Sequence, residues 1–177
     1  MKKSTLFLIV LVMGLTLKLS AQTPPVGIKW MSITEAEKLN AQHPRKILID
    51  IYTDWCGWCK KLDATTYKDP RIVQYLNDNF YAVKLNAESK ETISYQNQEF
   101  TFDPARRING VAANFLSSSG GYPTTTFLDE KLQVISIVPG YMQADMMNNI
   151  LTYFGENHYL NTDWNTYLGT VNTAPKQ

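Results

Sequence analysis

Two thiols separated by two residues, Cys56 and Cys59 in the string Trp55-Cys56-Gly57-Trp58-Cys59-Lys60, are the chemically richest feature of this 177-residue chain. They are its only cysteines. On a helix, that spacing places both sulfurs on one turn, with the first at the helix N-terminus. Unpaired backbone N–H groups and the positive end of the helix dipole favour a thiolate there. The thiolate is the form that attacks a disulfide. Cys56 is therefore the expected nucleophile. Cys59, one turn deeper and more shielded, is placed to attack the resulting mixed disulfide and release the product. Gly57 lets a partner's backbone approach. Trp55 offers a flat apolar surface beside the sulfur, and Trp58 stands between the two thiols.

Structural disulfides in oxidising compartments usually close long loops, where the entropic gain is larger. A pair separated by two residues closes a very short loop, so a redox role explains it better. The competing reading is a zinc site. Zinc takes about four ligands, and His43 and His158, the only histidines, would have to converge on the cysteines from distant parts of the chain. We expect no metal. A near-neutral composition, formal net charge +1, gives no electrostatic reason to expect nucleic acid or an anionic membrane as partner.

The elements that must hold the thiols are legible on both sides. Lys46 to Tyr52 is a strand whose nearly continuous apolar run, Ile47, Leu48, Ile49 and Ile51, suits burial on both faces. One acid, Asp50, interrupts it. Thr53-Asp54-Trp55 is a short loop, and a helix is expected from about Cys56 to Tyr67. Asp69-Pro70 opens another, with Ile72, Val73 and Leu76 inward. Phe80 to Asn86 is a second buried strand, so strand–helix–strand predicts a parallel pair with a right-handed crossover. Upstream, Ser32-Ile33-Thr34-Glu35 is a capping box opening a helix with Ile33, Ala36 and Leu39 inward.

Downstream, Thr92 to Phe102 alternates weakly about Gln96-Asn97-Gln98 and predicts a small surface hairpin. Asp103-Pro104 is expected to open a helix to about Leu116. Thr124 to Leu128 and Gln133 to Val138 form a hairpin about Asp129-Glu130-Lys131. Gln143 to Phe154 is an amphipathic helix closed by Gly155. The aromatic tail, with His158, Tyr159, Trp164 and Tyr167, is expected to pack on the body as a further helix.

Taken together, these segments resemble the thioredoxin superfamily over roughly residues 28 to 155. Asp50 sits six positions before the first cysteine, where thioredoxins keep a buried aspartate. Val83-Lys84-Leu85-Asn86 resembles the next strand, whose lysine neighbours that aspartate. Tyr122-Pro123-Thr124 resembles the cis-proline loop, and Gly140 falls where a family glycine lies near the active site. The resemblance implies an α/β thioredoxin-like fold: a central mixed sheet flanked by helices, with an insert at 87–121 before the cis-proline loop and a C-terminal extension at 156–177. It implies Cys56, Cys59, Asp50 and Lys84 as catalytic residues and a Cys56–Cys59 disulfide. Trp55, Gly57, Trp58, Tyr122, Pro123 and Gly140 would contact substrate. Burial would raise the pKa of Asp50 and make it a proton acceptor for Cys59, with Lys84 partly offsetting its charge. The cis proline would let an extended substrate segment pair across from Cys56. No cofactor is implied, since the dithiol carries the electrons.

Two departures bear on function. Trp58 replaces the proline common between thioredoxin cysteines, and Tyr122 is bulkier than the usual residue before the cis proline. The first leaves the direction of electron flow open between reductase and oxidase or isomerase. The enlarged insert and aromatic tail keep a binding module on a thioredoxin scaffold as an alternative. The chain most resembles exported thioredoxin-related proteins of gram-negative bacteria, and a disulfide reductase is the expected function.

Its start supports export. Lys2 and Lys3, the apolar run from Leu6 to Leu15, and the small residues Ser20 and Ala21 follow the order of a secretory signal. The run is far short of the roughly 20 residues a membrane-spanning helix needs. An uncleaved anchor is the competing reading, and no cysteine follows the run to carry a lipid. A signal peptide over 1–21 is expected, with 22–177 as one thioredoxin-like domain. Removing it takes three lysines and no acids, so the net charge of +1 becomes −2. The expected location is the periplasm, with full secretion as the alternative. The expected partners are exported proteins bearing disulfides and a membrane thiol-reducing system, and the expected state is a monomer.

Overall fold

The computed structural model describes residues 27–118 and 120–173. The expected signal segment, 1–21, lies outside the described residues. A five-stranded mixed sheet organises the chain, in the order β1 (Trp30–Met31), β3 (Tyr81–Asn86), β2 (Ile47–Tyr52), β8 (Thr124–Leu128), β9 (Val134–Pro139). The first three strands are parallel, and β8 and β9 run antiparallel to their neighbours. The parallel pair β2 and β3 is in register from Ile47 opposite Tyr81 to Tyr52 opposite Asn86. This is the central mixed sheet flanked by helices that the sequence implied.

Strand β2 is buried on both faces, and its period of two sorts its residues between two cores. Ile47, Ile49 and Ile51 join Val83 and Leu85 in one apolar cluster. Leu48 points the other way, into a cluster with Leu62, Ile72, Leu76, Phe127 and Leu151. Helices α2 (Gly57–Ala64), α3 (Pro70–Asn79), α5 (Ala144–Gly155) and α6 (Trp164–Thr173) contribute to this second cluster. Helix α1 (Ile33–Gln42) serves the first, opened by the expected capping box: Ser32 accepts from the Glu35 N–H while Glu35 accepts from the Ser32 N–H. Its inward residues are Ile33, Ala36 and Asn40, while Leu39 is exposed. The Asn40 amide donates to the Arg45 carbonyl at 2.7 Å, which turns that position inward to close the loop into β2.

The insert corrects the sequence reading in its second half. The hairpin is present as β4 (Ile93–Tyr95) and β5 (Gln98–Phe100), with Gln96 and Asn97 both at positive φ, the backbone of a tight two-residue hairpin turn. It lies at the surface as expected, with Gln96 to Glu99 exposed, and is anchored by Tyr95, which is buried in the first cluster. The expected helix from Asp103 to Leu116 is instead a second hairpin, β6 (Phe102–Asp103) with β7 (Ile108–Asn109), followed by the short α4 (Gly110–Ala113). Asp103 caps no helix. Its carboxylate accepts from the Ala105 and Arg106 N–H groups, closing a turn that puts Arg107 at φ 53°. Asn109 is the residue that caps α4, accepting from Val111 N–H while donating to the carbonyls of Ser89 and Glu91. Ile108, Val111, Ala112 and Phe115 then complete the first core.

At the C-terminal end, Gly155 is the last residue of α5 and not the residue after it; Asn157 takes the left-handed position at φ 62°. The glycine answers a close approach: a Cβ there would stand 2.6 Å from the Tyr75 hydroxyl. The aromatic tail packs as expected, with Tyr153 against Tyr159, Trp164 and Tyr167.

Candidate active site

The loop Thr53-Asp54-Trp55 leaves the end of β2 and delivers Cys56 to the start of α2. Cys56 is the residue that caps this helix: its N–H donates to the Thr53 carbonyl, and its Sγ accepts from the Cys59 N–H at 3.0 Å. A helix-terminal donor is thus aimed at that sulfur, where it would stabilise a thiolate. Cys56 and Cys59 form a disulfide with Cα atoms 5.3 Å apart. In this oxidised form the two residues are almost equally covered, at 4% and 2% exposed, because the bond holds the sulfurs together. The expected difference in shielding is small here.

Around the sulfurs stands an exposed rim. Trp55 and Trp58 are 64% and 56% exposed, high values for side chains that usually bury. Each is braced. The Trp55 ring stands edge-on to Tyr122 at 5.8 Å between centroids, and its Nε1–H donates to Glu88 at 3.1 Å. Trp58 lies 5.4 Å from the Tyr141 ring, and the Lys61 ammonium sits 4.8 Å over the Trp58 face. Nothing lies within 4 Å of where a Gly57 side chain would stand, so the backbone between the tryptophans is open. The Tyr122–Pro123 peptide is cis. Gly140, at φ 96°, donates its N–H to the Pro123 carbonyl at 2.8 Å and ties that loop to the end of β9.

Behind the sulfurs the chemistry changes. Asp50 is fully buried and faces the α2 side of the sheet, as Leu48 does two residues earlier. Lys84, its partner in register on β3, donates to Asp50 Oδ2 and also to Asp63 Oδ1. Asp63 lies four residues after Cys59 on α2, so the two share a helix face. Lys84 therefore joins the strand acid to the helix that carries the thiols. Its ammonium also lies over the Trp30, Tyr52 and Tyr67 rings at 5.0 to 5.4 Å.

Burial dominates the electrostatics of this group. It pushes the Asp50 carboxyl up, Lys84 pulls it back, and the result is a pKa raised to about 6. Burial opposes the Lys84 charge too, but the two carboxylates outweigh it and hold its pKa above the usual lysine value. The Tyr67 hydroxyl lies beside both Asp50 and Thr125, and its contact with the acid helps hold the Asp50 carboxyl down. Thr125 faces Asp50 across the β2–β8 pair.

The comparisons agree with the geometry. Residues 33–155 match the family model described as a thioredoxin-like domain. The chain belongs to that family. The thiol:disulfide interchange protein DsbD of Haemophilus influenzae is 28% identical over 144 residues, covering 77% of this chain and 22% of that protein. DsbD of Actinobacillus pleuropneumoniae is 30% identical over 117 residues, covering 65% of this chain and 17% of its own length. The chain thus spans about a fifth of the length of these curated relatives. Among solved structures, a thioredoxin-fold protein from Helicobacter pylori superposes with a TM-score of 0.56 at 15% identity, covering 81% of this chain and 84% of that one. A putative disulphide-isomerase from Bacteroides thetaiotaomicron gives 0.51 at 23% identity, covering 75% and 95%. These likenesses establish the thioredoxin-like fold.

The sequence reading named ten site positions. The structure brings Trp55, Cys56, Gly57, Trp58 and Cys59 together at the start of α2, with Asp50 and Lys84 behind them. Tyr122 joins the rim through its contact with Trp55. Pro123 and Gly140 are joined to each other by a hydrogen bond. Missed were Asp63, Tyr67 and Thr125 behind the sulfurs, and Lys61, Glu88 and Tyr141 around them. Only Asp63 and Lys61 carried a sequence signal, through their helical spacing from Cys59 and Trp58. No helix of the described residues is long and apolar enough to cross a membrane. No cluster of three or more His, Cys, Asp or Glu arranged to hold a metal occurs among the described residues.

Proposed function

We propose that this thioredoxin-like protein is an exported thiol–disulfide oxidoreductase that works as a disulfide reductase. One observation carries the reading: the sulfur of Cys56 accepts a helix-terminal N–H, with Cys59 bonded to it and a buried acid of raised pKa behind the same helix. In the reduced protein the Cys56 thiolate attacks a substrate disulfide. A Cys56–substrate bond forms, and the distal substrate sulfur leaves as a thiolate with the bonding pair. Cys59 loses its proton to Asp50, which is ionised above about pH 6. The Cys59 thiolate then attacks Cys56 Sγ and expels the second substrate sulfur. The substrate gains two electrons and, with two protons, becomes a dithiol, while the protein becomes the Cys56–Cys59 disulfide.

A membrane thiol-reducing system would restore the dithiol, a role consistent with the curated relatives being thiol:disulfide interchange proteins. The charged, apolar and small residues of 1–21 support export to the periplasm. The remaining chain acts as one domain and a monomer, with a core at 28–155, the 87–121 insert and the 156–177 extension. Trp55, Gly57, Trp58, Tyr122, Pro123 and Gly140 receive the substrate. Dithiothreitol reduction of insulin disulfides tests this: the wild type accelerates it, and Cys56→Ser does not. Equal rates end the reading. Cys59→Ser should instead accumulate mixed disulfides that name the partners.

The exposed tryptophans support a second reading, a module that holds partners without turning them over. Partner capture by Cys56→Ala together with unaltered activity in the cell would favour it.

A further inference from the structure

Beside the disulfide lies a cleft of about 550 Å³ lined by Trp55, Glu88, Arg106, Arg107 and Tyr122. One wall is the active-site rim, and the other comes from the turn of the β6–β7 hairpin. On the far side of Arg106 and Tyr122 a second hollow continues over Ile108, Ala113 and Leu116. A groove therefore runs from Trp55, next to Cys56, past Tyr122 at the cis-proline bond, with Arg106 at its midpoint. The turn that presents both arginines holds Arg107 at φ 53°, a backbone that side chains other than glycine seldom adopt.

The charges along this groove are unevenly satisfied. Glu88 is held from both sides, by Trp55 Nε1–H at 3.1 Å and by the Arg107 guanidinium at 3.5 Å. Asp54 accepts from the Asn86 amide at 3.2 Å, and Asp103 is taken by backbone N–H groups of its own turn. Arg106 is exposed, and its guanidinium has no ion pair or hydrogen bond among the described residues. A cation with no ion pair of its own thus lines the cleft beside Trp55, where Glu88 is already engaged by Trp55 and Arg107. A guanidinium is also suited to gripping a carboxylate through two parallel hydrogen bonds.

We propose that Arg106 is a specificity-determining residue, selecting disulfide substrates that carry an aspartate or glutamate close to the reacting cysteine. The inference rests on the oxidoreductase reading and names the substrate class of that site. Docking puts the acid on Arg106 and the substrate sulfur in front of Cys56. The exchange then follows the two displacements given above, with electrons passing from the protein dithiol to the substrate disulfide.

Single-turnover reduction by the full reduced chain tests it. The probes are two peptides, each with one cysteine in disulfide linkage to thionitrobenzoate, differing only in a Glu or a Lys two residues from that cysteine. Release of the coloured thiolate reports the rate. At low salt the Glu peptide should react about fivefold faster, and the ratio should fall towards one at about 0.5 M salt as the charges are screened. Arg106→Ala should bring the ratio close to one, and Arg106→Glu should reverse it. A wild-type ratio of one, or a ratio that Arg106→Ala leaves in place, overturns the proposal. Arg106→Gln, which keeps a polar side chain at this exposed position, is the second variant should Arg106→Ala fail to fold, and it too should bring the ratio close to one. Failure of wild type to release thiolate faster than Cys56→Ser with either peptide would sink the oxidoreductase reading as well, whereas rapid but equal release would sink this inference alone.

Discussion

The two faces of the sheet meet along one strand and differ in what they bury. On the face covered by α1 and the insert, Ile47, Ile49 and Ile51 enter a closed apolar cluster. On the face covered by α2, Leu48 is followed two residues later by Asp50, with Lys84, Tyr67 and Thr125 around it. Adjacent residues of β2 therefore serve opposite ends. Both faces gain stability from apolar burial, and the α2 face also keeps an acid next to the helix that carries the thiols. The insert makes this division workable, because its Tyr95, Ile108, Val111 and Phe115 seal the apolar face.

Substitutions at neighbouring positions can break that contrast. The largest effect is expected for Ile49→Ala. Its fully buried side chain lies on the closed face, so the cavity should lower unfolding free energy by about 2–5 kcal/mol. A urea titration measures it, and the redox rate per folded molecule should stay unchanged.

Asp50→Asn should do the reverse on both counts. The carboxyl keeps its proton to about pH 6 when folded, against 3.8 for an unperturbed aspartate. The folded state is thus the stronger proton binder between those values, and its stability falls as pH rises through 6. Above that pH the shift costs on the order of 3 kcal/mol. The amide removes this cost, so the variant should be more stable than wild type at pH 8 by a few kcal/mol at most, and should lack the fall that Asp50 causes between about pH 4 and 6. Lys84 keeps Asp63 as partner. Disulfide reduction should slow about 100-fold or more and lose its inflection near pH 6. Unchanged stability and unchanged pH dependence would remove Asp50 from the mechanism.

The smallest effect is expected at the rim. Tyr141→Phe removes the hydroxyl, which meets Thr65 at 3.1 Å and lies beside Thr66, and leaves the ring against Trp58. Stability should shift by no more than about 0.5 kcal/mol, and the reduction rate by less than about twofold. A larger loss would mean that this hydroxyl, and not the ring, shapes the docking surface.

Much of this was legible in the sequence, for reasons that differ by residue. The Cys56–Cys59 spacing is local, so its place at a helix start could be read directly. Asp50 stood out as an acid in an apolar strand. Its pairing with Lys84, and the cis bond before Pro123, came through the family resemblance. Asp63 escaped notice because an acid on a short helix is ordinarily a solvated one; only the β3 strand passing beneath α2 gives it Lys84. Tyr67 and Thr125 reach the site through chain crossings that no local pattern encodes. The segment from Asp103 was misread because Asp-Pro opens tight turns as readily as helices. The decision fell to Asn109, which caps α4 six residues later. The insert hairpin was recognised from its alternation, but alternation alone does not say whether a hairpin floats or seals a core.

The account depends above all on Cys56 being an activated sulfur. Iodoacetamide alkylation of the freshly reduced protein across pH 4 to 10, with the modified cysteine identified by mass spectrometry, measures this directly. Cys56 should titrate clearly below the value of about 8.5 for free cysteine, with Cys59 reacting far more slowly. A Cys56 that titrates like free cysteine, or a Cys59 that reacts first, would contradict the account.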